Sequence, residues 1–600
     1  MSCTQARLIR YAAILFAIAV TVSAAAVTGQ DTTREFSIVI EKPSAEYTVD
    51  VGGTMDPENL EIVIENLGDA PVVNPRLSVN GLYDWYDAKS LADEIARGCH
   101  TDEEKALAIW SWIRYRTYQR SPHENDSTLH PVRALNGYGY GICGHVAAWM
   151  KCLWTAAGLR ARVYELRGHT VSEAFYNGAW HELDGNVKVF YLDRDNRTIA
   201  SLATLEHDKW LIERTIHPRE MQPWFIGPDT PERNEEFVGY LTSQGHYEER
   251  SYDKEIATDY TMAMTLKPGE KLVRWWTPRL GKFEGRDARP EIPQLYANGQ
   301  LIWEPDLSRV DMRPYLATAG LRNIATRADD GNSPAIHVAK PQDAAHADPS
   351  AFAIPIESPY PIVGARFFCT LAKGGRSDFD TASMFFGQPG RGSGDLYEYR
   401  WGTGPQAVGV DLDSRILRSN SLYGYAIGFA IRAGAENRPG TQTGLDAFRS
   451  ETDLQVGPQS LPALSLGRNT IHFRQQSSAR VRITHRWSEI ADRRPPGKVE
   501  AALGPANGGE VASLTPVLTW APEAAATDYQ VMVSLRPDCR WPLSTTLQQN
   551  VGSAKAEWKI PASFLNPGTT YYWKVRTRNS RGDIGEWGQV FSFRTAEGPQ

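Results

Sequence analysis

The chain has 600 residues, of which 42% are hydrophobic and 22% are charged, a composition typical of soluble globular domains. This length exceeds what one hydrophobic core usually supports, so we expect about three to five domains. The formal net charge is −7 and there is no long run of lysine or arginine, which argues against nucleic acid as a partner.

Residues 1–29 have the pattern of a secretory signal peptide. Arg7 and Arg10 precede an apolar run that ends in small residues, and cleavage is expected between about Ala26 and Gln30. An uncleaved membrane anchor is the alternative, because the apolar run is close to the lower limit for spanning a bilayer. We expect a secreted or extracytoplasmic protein (periplasmic or at the cell surface), with no membrane span after signal cleavage.

The chain after the signal is predicted to begin with a β module and then a helix. Residues 31–85 alternate apolar and polar side chains between turn sequences, which predicts a small N-terminal β module. A capping box follows, with Thr101 as the N-cap and Glu104 reaching back to it. The helix opens a predicted core at residues 86–245, and residues 121–141 are predicted to be a loop that borders the substrate cleft.

Cys143 is the first residue of this core that indicates a catalytic function. It follows a glycine-rich run and opens an apolar segment that predicts a helix ending near Ala157. A thiol at a helix N-terminus lies at the positive end of the helix dipole, which favours the thiolate. Cys143 is therefore a candidate nucleophile. Cys152 lies near the opposite side of the same helix, and we interpret it as a core residue.

A β-hairpin is predicted around Asn177-Gly178, the strongest turn signal of the region. With these two residues as the turn, His169 and Asp184 become diagonal neighbours on one face and their side chains can meet. An aspartate in that place can hold an imidazole in one tautomer and stabilise its charged form. The same register points His181 to the other face, so it is not a candidate.

The predicted register has one unfavourable feature. It places Glu173 directly opposite Glu182, and like charges directly opposed are destabilising. Either a cation lies between the two carboxylates or the register slips near the turn.

These residues resemble the transglutaminase-like core, a papain-like cysteine fold with the order Cys, His, Asp. The shared marks are a glycine-rich approach to the cysteine, a strand opening with Gly-His, and Gly-x-Trp before the aspartate. The resemblance covers about a quarter of the chain. It implies Cys143 as nucleophile, His169 as general base and acid, and Asp184 as orienting carboxylate. Val171 and Gly185 stand where the family often has an aromatic residue and a proline, which bears on substrate specificity.

Five cysteines remain after the signal peptide. The odd number leaves at least one free thiol, and their spacing matches neither a disulfide scaffold nor a metal site. The sequence therefore predicts no metal and no other cofactor. The five are Cys99, Cys143, Cys152, Cys369 and Cys539.

Residues 250–494 are predicted to be β-rich, forming one or two sandwich modules, because short strand-like runs alternate with Gly, Pro, Asn and Asp. Aromatic residues in these runs are of the kind that stacks on sugar rings, although aromatics at alternate strand positions more often belong to a core. They are Trp275, Trp276, Tyr397, Tyr399 and Trp401.

Residues 498–600 resemble a fibronectin type III domain. The resemblance depends on the early Trp520, the segment Leu565–Tyr571 and a closing Phe-x-Phe. Such a domain is expected to space or tether rather than to catalyse.

The predicted fold class is multi-domain, α+β and all-β, with a papain-like transglutaminase core flanked by β-sandwich modules. The predicted function is acyl transfer on peptide or amide bonds of a protein or peptide substrate through Cys143, His169 and Asp184. Hydrolysis is favoured, and crosslinking to an amine is a close second. The alternative is a non-catalytic extracellular adhesion or carbohydrate-binding protein that keeps the fold as a scaffold. Its β domains would then contact a cell surface or polysaccharide.

Overall fold

The computed structural model describes most of the chain after residue 31. The described residues are 32–122, 127–216, 238–242, 248–256, 259–278, 280–283, 295–331, 334–340, 348–374, 380–388, 391–416, 422–434, 443–552 and 556–597. The predicted signal peptide lies outside them.

Most helices of the described residues belong to the predicted core. None of the helices in this part of the chain is both long and apolar enough to cross a bilayer. The α-helices are α1 (Ala88–Ile95), α2 (Asp102–Arg116), α3 (Pro131–Gly137), α4 (Cys143–Ala156), α5 (Leu202–His207), α6 (Lys209–Glu213), α7 (Arg327–Asp330) and α8 (Asp413–Ile416). Short 3₁₀ turns occur at Ser127–Leu129, Arg313–Tyr315, Pro458–Ser460 and Thr545–Leu547.

Strands make up most of the remaining regular structure. The first eleven are β1 (Thr32–Ile40), β2 (Ser44–Val51), β3 (Glu58–Asn66), β4 (Val72–Val73), β5 (Arg76–Val79), β6 (Tyr118–Gln119), β7 (Tyr140–Gly141), β8 (Arg160–Glu165), β9 (Thr170–Tyr176), β10 (Ala179–Glu182) and β11 (Glu248–Arg250). The middle region adds β12 (Thr265–Leu266), β13 (Glu270–Trp275), β14 (Leu280–Phe283), β15 (Leu295–Ala297), β16 (Gly299–Trp303), β17 (Ile324–Thr326), β18 (Ile336–Val338), β19 (Ser350–Lys373), β20 (Thr381–Gln388), β21 (Arg391–Tyr399), β22 (Gly404–Asp411), β23 (Leu422–Arg432), β24 (Gly444–Leu454), β25 (Gly467–Arg474) and β26 (Val481–Glu489). The last eight are β27 (Ala502–Gly504), β28 (Gly509–Val511), β29 (Val517–Trp520), β30 (Asp528–Ser534), β31 (Gln548–Gly552), β32 (Glu557–Lys559), β33 (Thr570–Arg578) and β34 (Phe591–Thr595).

One 13-stranded antiparallel sheet joins two regions that are far apart in the chain. Its order runs β1-β26-β3-β13-β16-β24-β19-β23-β20-β21, with β17, β18 and β22 attached at its side. Residues 31–85 therefore share this sheet with residues 250–494 instead of forming a sheet of their own. A smaller sheet of β2, β25 and β5 contributes to the same hydrophobic core. The domain boundaries at 31–85 and 250–494 stay predictions.

The predicted core combines helices with a four-stranded sheet of order β10-β9-β8-β11. The predicted capping box is present at the start of α2, where Thr101 accepts from the Glu104 N–H and Glu104 accepts from the backbone of Thr101. Helix α4 buries apolar side chains on most of its surface and packs on β8 and β9. The sheet and α4 together position the candidate catalytic residues.

Part of the segment expected to be a loop between α2 and Cys143 is helical. Helix α3 begins with Pro131 at its first turn, and His130 caps it by accepting from the Val132 N–H at 3.3 Å. Proline suits that position because its missing N–H has no partner in the first turn of a helix. The loop prediction for residues 131–137 is therefore wrong.

The C-terminal region forms two facing sheets, β27-β29-β32 and β28-β34-β33-β30-β31. Trp520 and Trp573 are fully buried between them. This sandwich packs directly on the core, because its apolar residues join one buried cluster with those of α2 and α4. Polar contacts add to the interface, including Arg114 Nη1 donating to Gln548 Oε1 at 2.6 Å.

Candidate active site

Cys143 is the first residue of α4, as the sequence predicts. The preceding Ile142 is extended and provides no side-chain cap, so the positive end of the helix dipole faces the thiol without a competing capping group. Gly141 allows the close approach of β7 to α4, because a Cβ there would lie 2.6 Å from the Trp149 ring. The thiol itself is half-buried.

The hairpin that carries the other two candidates has the predicted register. Tyr176 pairs with Ala179, and Glu173 pairs with Glu182. Asn177 and Gly178 have φ values of 50° and 81°, as a type I′ turn requires. The register prediction is confirmed up to the end of β10.

Beyond the ladder, the Leu183 N–H donates to the Ser172 carbonyl at 3.2 Å, so the same register continues towards Asp184. The His169 Nε2 and the Asp184 Oδ2 are 2.6 Å apart, and both side chains are more than nine-tenths buried. The Asp184 Oδ1 accepts from the backbone N–H groups of Asn186 and Val187, each at 2.8 Å. The Trp110 indole donates to the Asp184 carbonyl at 3.0 Å. Asp184 is thus held at both carboxylate oxygens and at its backbone.

Electrostatics favour a charged pair between His169 and Cys143. Burial lowers the pKa of His169, but the Asp184 charge and hydrogen bonds to Asp184 and Cys143 outweigh burial and raise this pKa to about 10. Burial raises the pKa of Cys143, but the hydrogen bond and charge of His169, with a further hydrogen bond to Thr170, hold it below the ordinary thiol value. The site therefore favours thiolate and imidazolium together.

Sequence reasoning missed two tyrosines that surround this pair. Tyr240 stacks on the His169 ring, with centroids 5.8 Å apart and planes 26° apart. Tyr252 has a positive φ of 49°, and its hydroxyl lies 3.6 Å from where a Cβ on Gly144 would be. No local pattern marks either residue, because each comes from a distant part of the chain. Thr170, next to His169 in sequence, was also not singled out.

The opposed glutamates have different surroundings. Arg162 binds Glu173 at 2.6 Å, and the Leu202 N–H donates to the same carboxylate at 2.8 Å. Glu182 is fully buried, and neither of its carboxylate oxygens has a hydrogen-bond partner in the part of the chain that the structure describes. Burial first, then the charges of Asp184 and Glu173, raise the pKa of Glu182 well above its ordinary value. The register is therefore kept, but the expected cation between the two carboxylates is not found among the described residues, because Arg162 pairs with Glu173 alone.

The residues set aside by sequence reasoning lie away from the pair. His181 faces the other side of the hairpin, with its Nδ1 2.6 Å from the Ile199 carbonyl and its ring stacked on Tyr176. Cys152 is buried in the core, and burial raises its pKa to about 12. Among the described residues, no group of three or more His, Cys, Asp or Glu side chains is placed to hold a metal ion.

Comparison with protein families assigns two parts of the chain. Residues 89–194 match the model of the transglutaminase-like superfamily, so the chain contains a transglutaminase-like core domain. Residues 506–597 match the model described as a Rha78A-like N-terminal immunoglobulin domain. The C-terminal sandwich is thus immunoglobulin-like, and the fibronectin type III assignment is not confirmed. A search of curated proteins gives no match.

Solved structures give matches of low similarity. They include the glycoside hydrolase domain of Endo-D (Spr0440) from Streptococcus pneumoniae R6, at 12% identity and a TM-score of 0.13, covering 41% of this chain and 32% of that one. Domains FN1–FN3 of chicken CNTN1 match at 12% identity and a TM-score of 0.14, over 42% and 65%. A β-1,2-glucanase from Parabacteroides distasonis matches at 12% and 0.12, over 45% and 35%. This chain spans less than two thirds of the length of each, and such TM-scores do not define a shared fold.

Proposed function

We propose that this protein is a transglutaminase-like cysteine enzyme that transfers acyl groups from peptide or amide bonds through Cys143, His169 and Asp184. The observation that carries the proposal is the buried 2.6 Å contact of His169 with Asp184, beside a thiol of lowered pKa at a helix N-terminus. A family match to residues 89–194 supports the same class of chemistry.

The residues perform the reaction in two halves. The Cys143 thiolate attacks the amide carbonyl carbon, and the His169 imidazolium gives its proton to the leaving amine as the C–N bond breaks. This leaves a thioester on Cys143 and a neutral imidazole. His169 then removes a proton from an attacking water or amine, and the thioester collapses to release the acyl product and the thiolate. Asp184 orients the ring and stabilises its charged form in both halves.

The tetrahedral intermediates carry a negative oxygen that needs donors. The backbone N–H of Cys143 lies at the N-terminus of α4, where the helix dipole also favours negative charge. We propose this N–H as one oxyanion donor. This contact uses only the backbone of Cys143. Its contribution to oxyanion stabilisation should therefore remain when side chains of the site are replaced.

Hydrolysis is the favoured outcome, with crosslinking to an amine as the second, and the substrate is proposed to be a protein or peptide. We propose that the protein acts outside the cytoplasm, since residues 1–29 have the signal-peptide pattern.

Cys99 provides an internal comparison for the active thiol. It is also half-buried, but burial raises its pKa.

The first experiment measures the pH dependence of alkylation at individual cysteines of the full exported chain by mass spectrometry. Cys143 should react with a midpoint well below that of Cys99, because only Cys143 has an imidazolium beside it. In His169→Ala the Cys143 midpoint should rise to that of an ordinary or buried thiol, with Cys99 unchanged. Equal midpoints for the two cysteines in the wild type would contradict the proposal.

A substrate screen then separates the two acyl acceptors. Amide and peptide libraries are incubated with and without a primary amine, and Cys143→Ala is the inactive control. A shortened peptide supports hydrolysis, and an amine-labelled product supports transfer. If Cys143→Ala leaves the biological activity and ligand binding of the protein unchanged, the scaffold alternative replaces the enzyme.

A further inference from the structure

A pocket of about 150 Å³ lies between α2 of the core and the C-terminal sandwich. We call it the interdomain pocket. Its lining residues come from both units and are Ser111, Tyr115, Met532, Arg540, Pro542, Gln548, Lys574, Arg576 and Trp587. The volume corresponds to about five water molecules at roughly 30 Å³ each.

The polar lining of the interdomain pocket is rich in hydrogen-bond donors. Three cationic side chains contribute, and the others are a hydroxyl, a phenol, an amide and an indole. No carboxylate lines the pocket. The cationic residues are Arg540, Lys574 and Arg576.

Lys574 and Arg540 lie against aromatic rings within the described residues. Neither forms an ion pair with a carboxylate there; Lys574 lies 4.9 Å from the centroid of the Trp587 ring, and Arg540 lies 4.6 Å from that of Trp541. The nearby Asp538 does not line the pocket. It accepts from the backbone N–H of Arg540 at 3.1 Å and lies 3.9 Å from Arg536.

A further cation lies behind the pocket. Arg114 is almost fully buried and donates to the Gln548 Oε1 at 2.6 Å, while the amide nitrogen of Gln548 donates to the Tyr115 hydroxyl. These two hydrogen bonds fix the Gln548 amide. Because the Tyr115 oxygen accepts one of them, the Tyr115 O–H remains available as a donor. Burial lowers the pKa of Lys574, and the charges of Cys539 and Asp538 oppose this effect only in part. Cations brought close together repel one another, and a bound anion relieves that repulsion.

We propose that the interdomain pocket binds a tetrahedral oxyanion of the phosphate or sulfate type, either as the free ion or as a group on a larger molecule. Arginine binds such groups in two-point contacts and lysine binds them as a point charge. The cavity has room for one such group.

Binding would connect the two units that form the pocket. Ser111 and Tyr115 belong to α2, whose Trp110 also donates to the Asp184 carbonyl. Lys574 and Arg576 belong to β33 of the C-terminal sandwich. An anion between them stabilises the docked arrangement, and its effect on unfolding follows from mass action.

The test is calorimetric titration of the full exported chain with inorganic phosphate and with inorganic sulfate, at constant ionic strength set with chloride. Saturable binding is expected for at least one anion. Thermal unfolding at the same low anion concentrations should show a matching rise in melting temperature, distinct from the non-saturating effect of concentrated sulfate or phosphate. A titration with sulfated oligosaccharide distinguishes the free ion from a group on a polymer.

Variants locate the binding. Lys574→Gln should weaken the affinity about tenfold, the loss expected for one charge-assisted hydrogen bond. Lys574→Arg should retain most of it, and Lys559→Gln, an exposed lysine of the same sandwich, should not change it. Absence of saturable binding to all three ligands overturns the proposal, and so does equal binding by the wild type and Lys574→Gln. Catalytic assays play no part, so the result is independent of the proposed function.

Discussion

The Nε2 of His169 lies 2.6 Å from the Oδ2 of Asp184, and the other carboxylate oxygen accepts two backbone N–H groups. The carboxylate therefore cannot rotate away without losing three hydrogen bonds. Because both side chains are buried, their attraction is poorly screened by water. This arrangement favours the charged form of the imidazole, which hydrogen-bonds Cys143.

Replacing Asp184 with asparagine removes the negative charge of the side chain and keeps its shape. In Asp184→Asn the amide oxygen can still accept from Asn186 and Val187, but the charge that raises the pKa of His169 is lost. We expect the alkylation midpoint of Cys143 to rise and kcat/KM on an amide substrate to fall about 10³–10⁴-fold. Asp102→Asn, at the exposed start of α2, is the matched control. An unchanged midpoint in Asp184→Asn would show that Asp184 does not support the imidazolium.

The raised pKa of His169 predicts a pH-dependent contribution to stability. The folded value of about 10 lies above the ordinary value of 6.5, so the contribution is fully present below about pH 6.5 and is lost as pH rises through about 10. His169→Gln should therefore lower the free energy of unfolding by a few kcal/mol at pH 6 and by much less above pH 10. Thermal unfolding across this range measures the gap. His207→Gln, on an exposed side chain, should show no such trend; a constant gap for His169→Gln refutes the linkage.

The hairpin could be predicted from the sequence because a short-range signal determines it. Asn177 and Gly178 both adopt positive φ, which fixes the turn, and the turn fixes which residues pair. His169 and Asp184 then follow from the alternation of side chains across a sheet, because the Leu183 N–H bond to the Ser172 carbonyl carries the register past β10. Cys143 could be predicted in the same way, because a glycine-rich run marks the start of its helix.

Long-range pairing could not be predicted in the same way. Arg34 of β1 contacts Glu489 of β26, a separation of 455 residues, and alternating apolar residues identify strands without naming their partners. The sequence therefore predicts strands in residues 31–85 and 250–494 but not the pairing that joins them in one sheet. Tyr240 and Tyr252 are hidden for the same reason, because a tyrosine becomes part of a site only when the fold brings it there.

Glu182 should destabilise the protein at neutral and alkaline pH. Its raised pKa means that the folded state keeps a proton that the unfolded chain releases above about pH 4.5, so stability falls as pH rises from there. Glu182→Gln should raise the free energy of unfolding by about 1–3 kcal/mol at pH 8 and leave it nearly unchanged at pH 4. Denaturant unfolding at both pH values measures this.

The opposed Glu173 provides the matched control. Glu173→Gln removes the ion pair with Arg162 and should therefore lower stability at pH 8. The opposite result is expected for Glu182→Gln, even though the two carboxylates face each other on one hairpin. If Glu182→Gln destabilises the protein at pH 8 as much as Glu173→Gln does, Glu182 has a stabilising partner and the buried-acid interpretation is wrong.

Gly185 should be intolerant of any side chain. A Cβ there would lie 2.4 Å from the Met150 Sδ and 3.0 Å from both Ile113 and Val146. Gly185→Ala should therefore cost about 1–3 kcal/mol of stability by overpacking and, by displacing Asp184, raise the alkylation midpoint of Cys143. Adding Met150→Ala should cost less than the sum of the single changes, because it removes the clash.

Gly552→Ala, with no atom within 4 Å of its Cβ position, is the control and should change stability by less than about 0.5 kcal/mol. Strict additivity of the two core substitutions would show that Gly185 is kept for some reason other than contact with Met150.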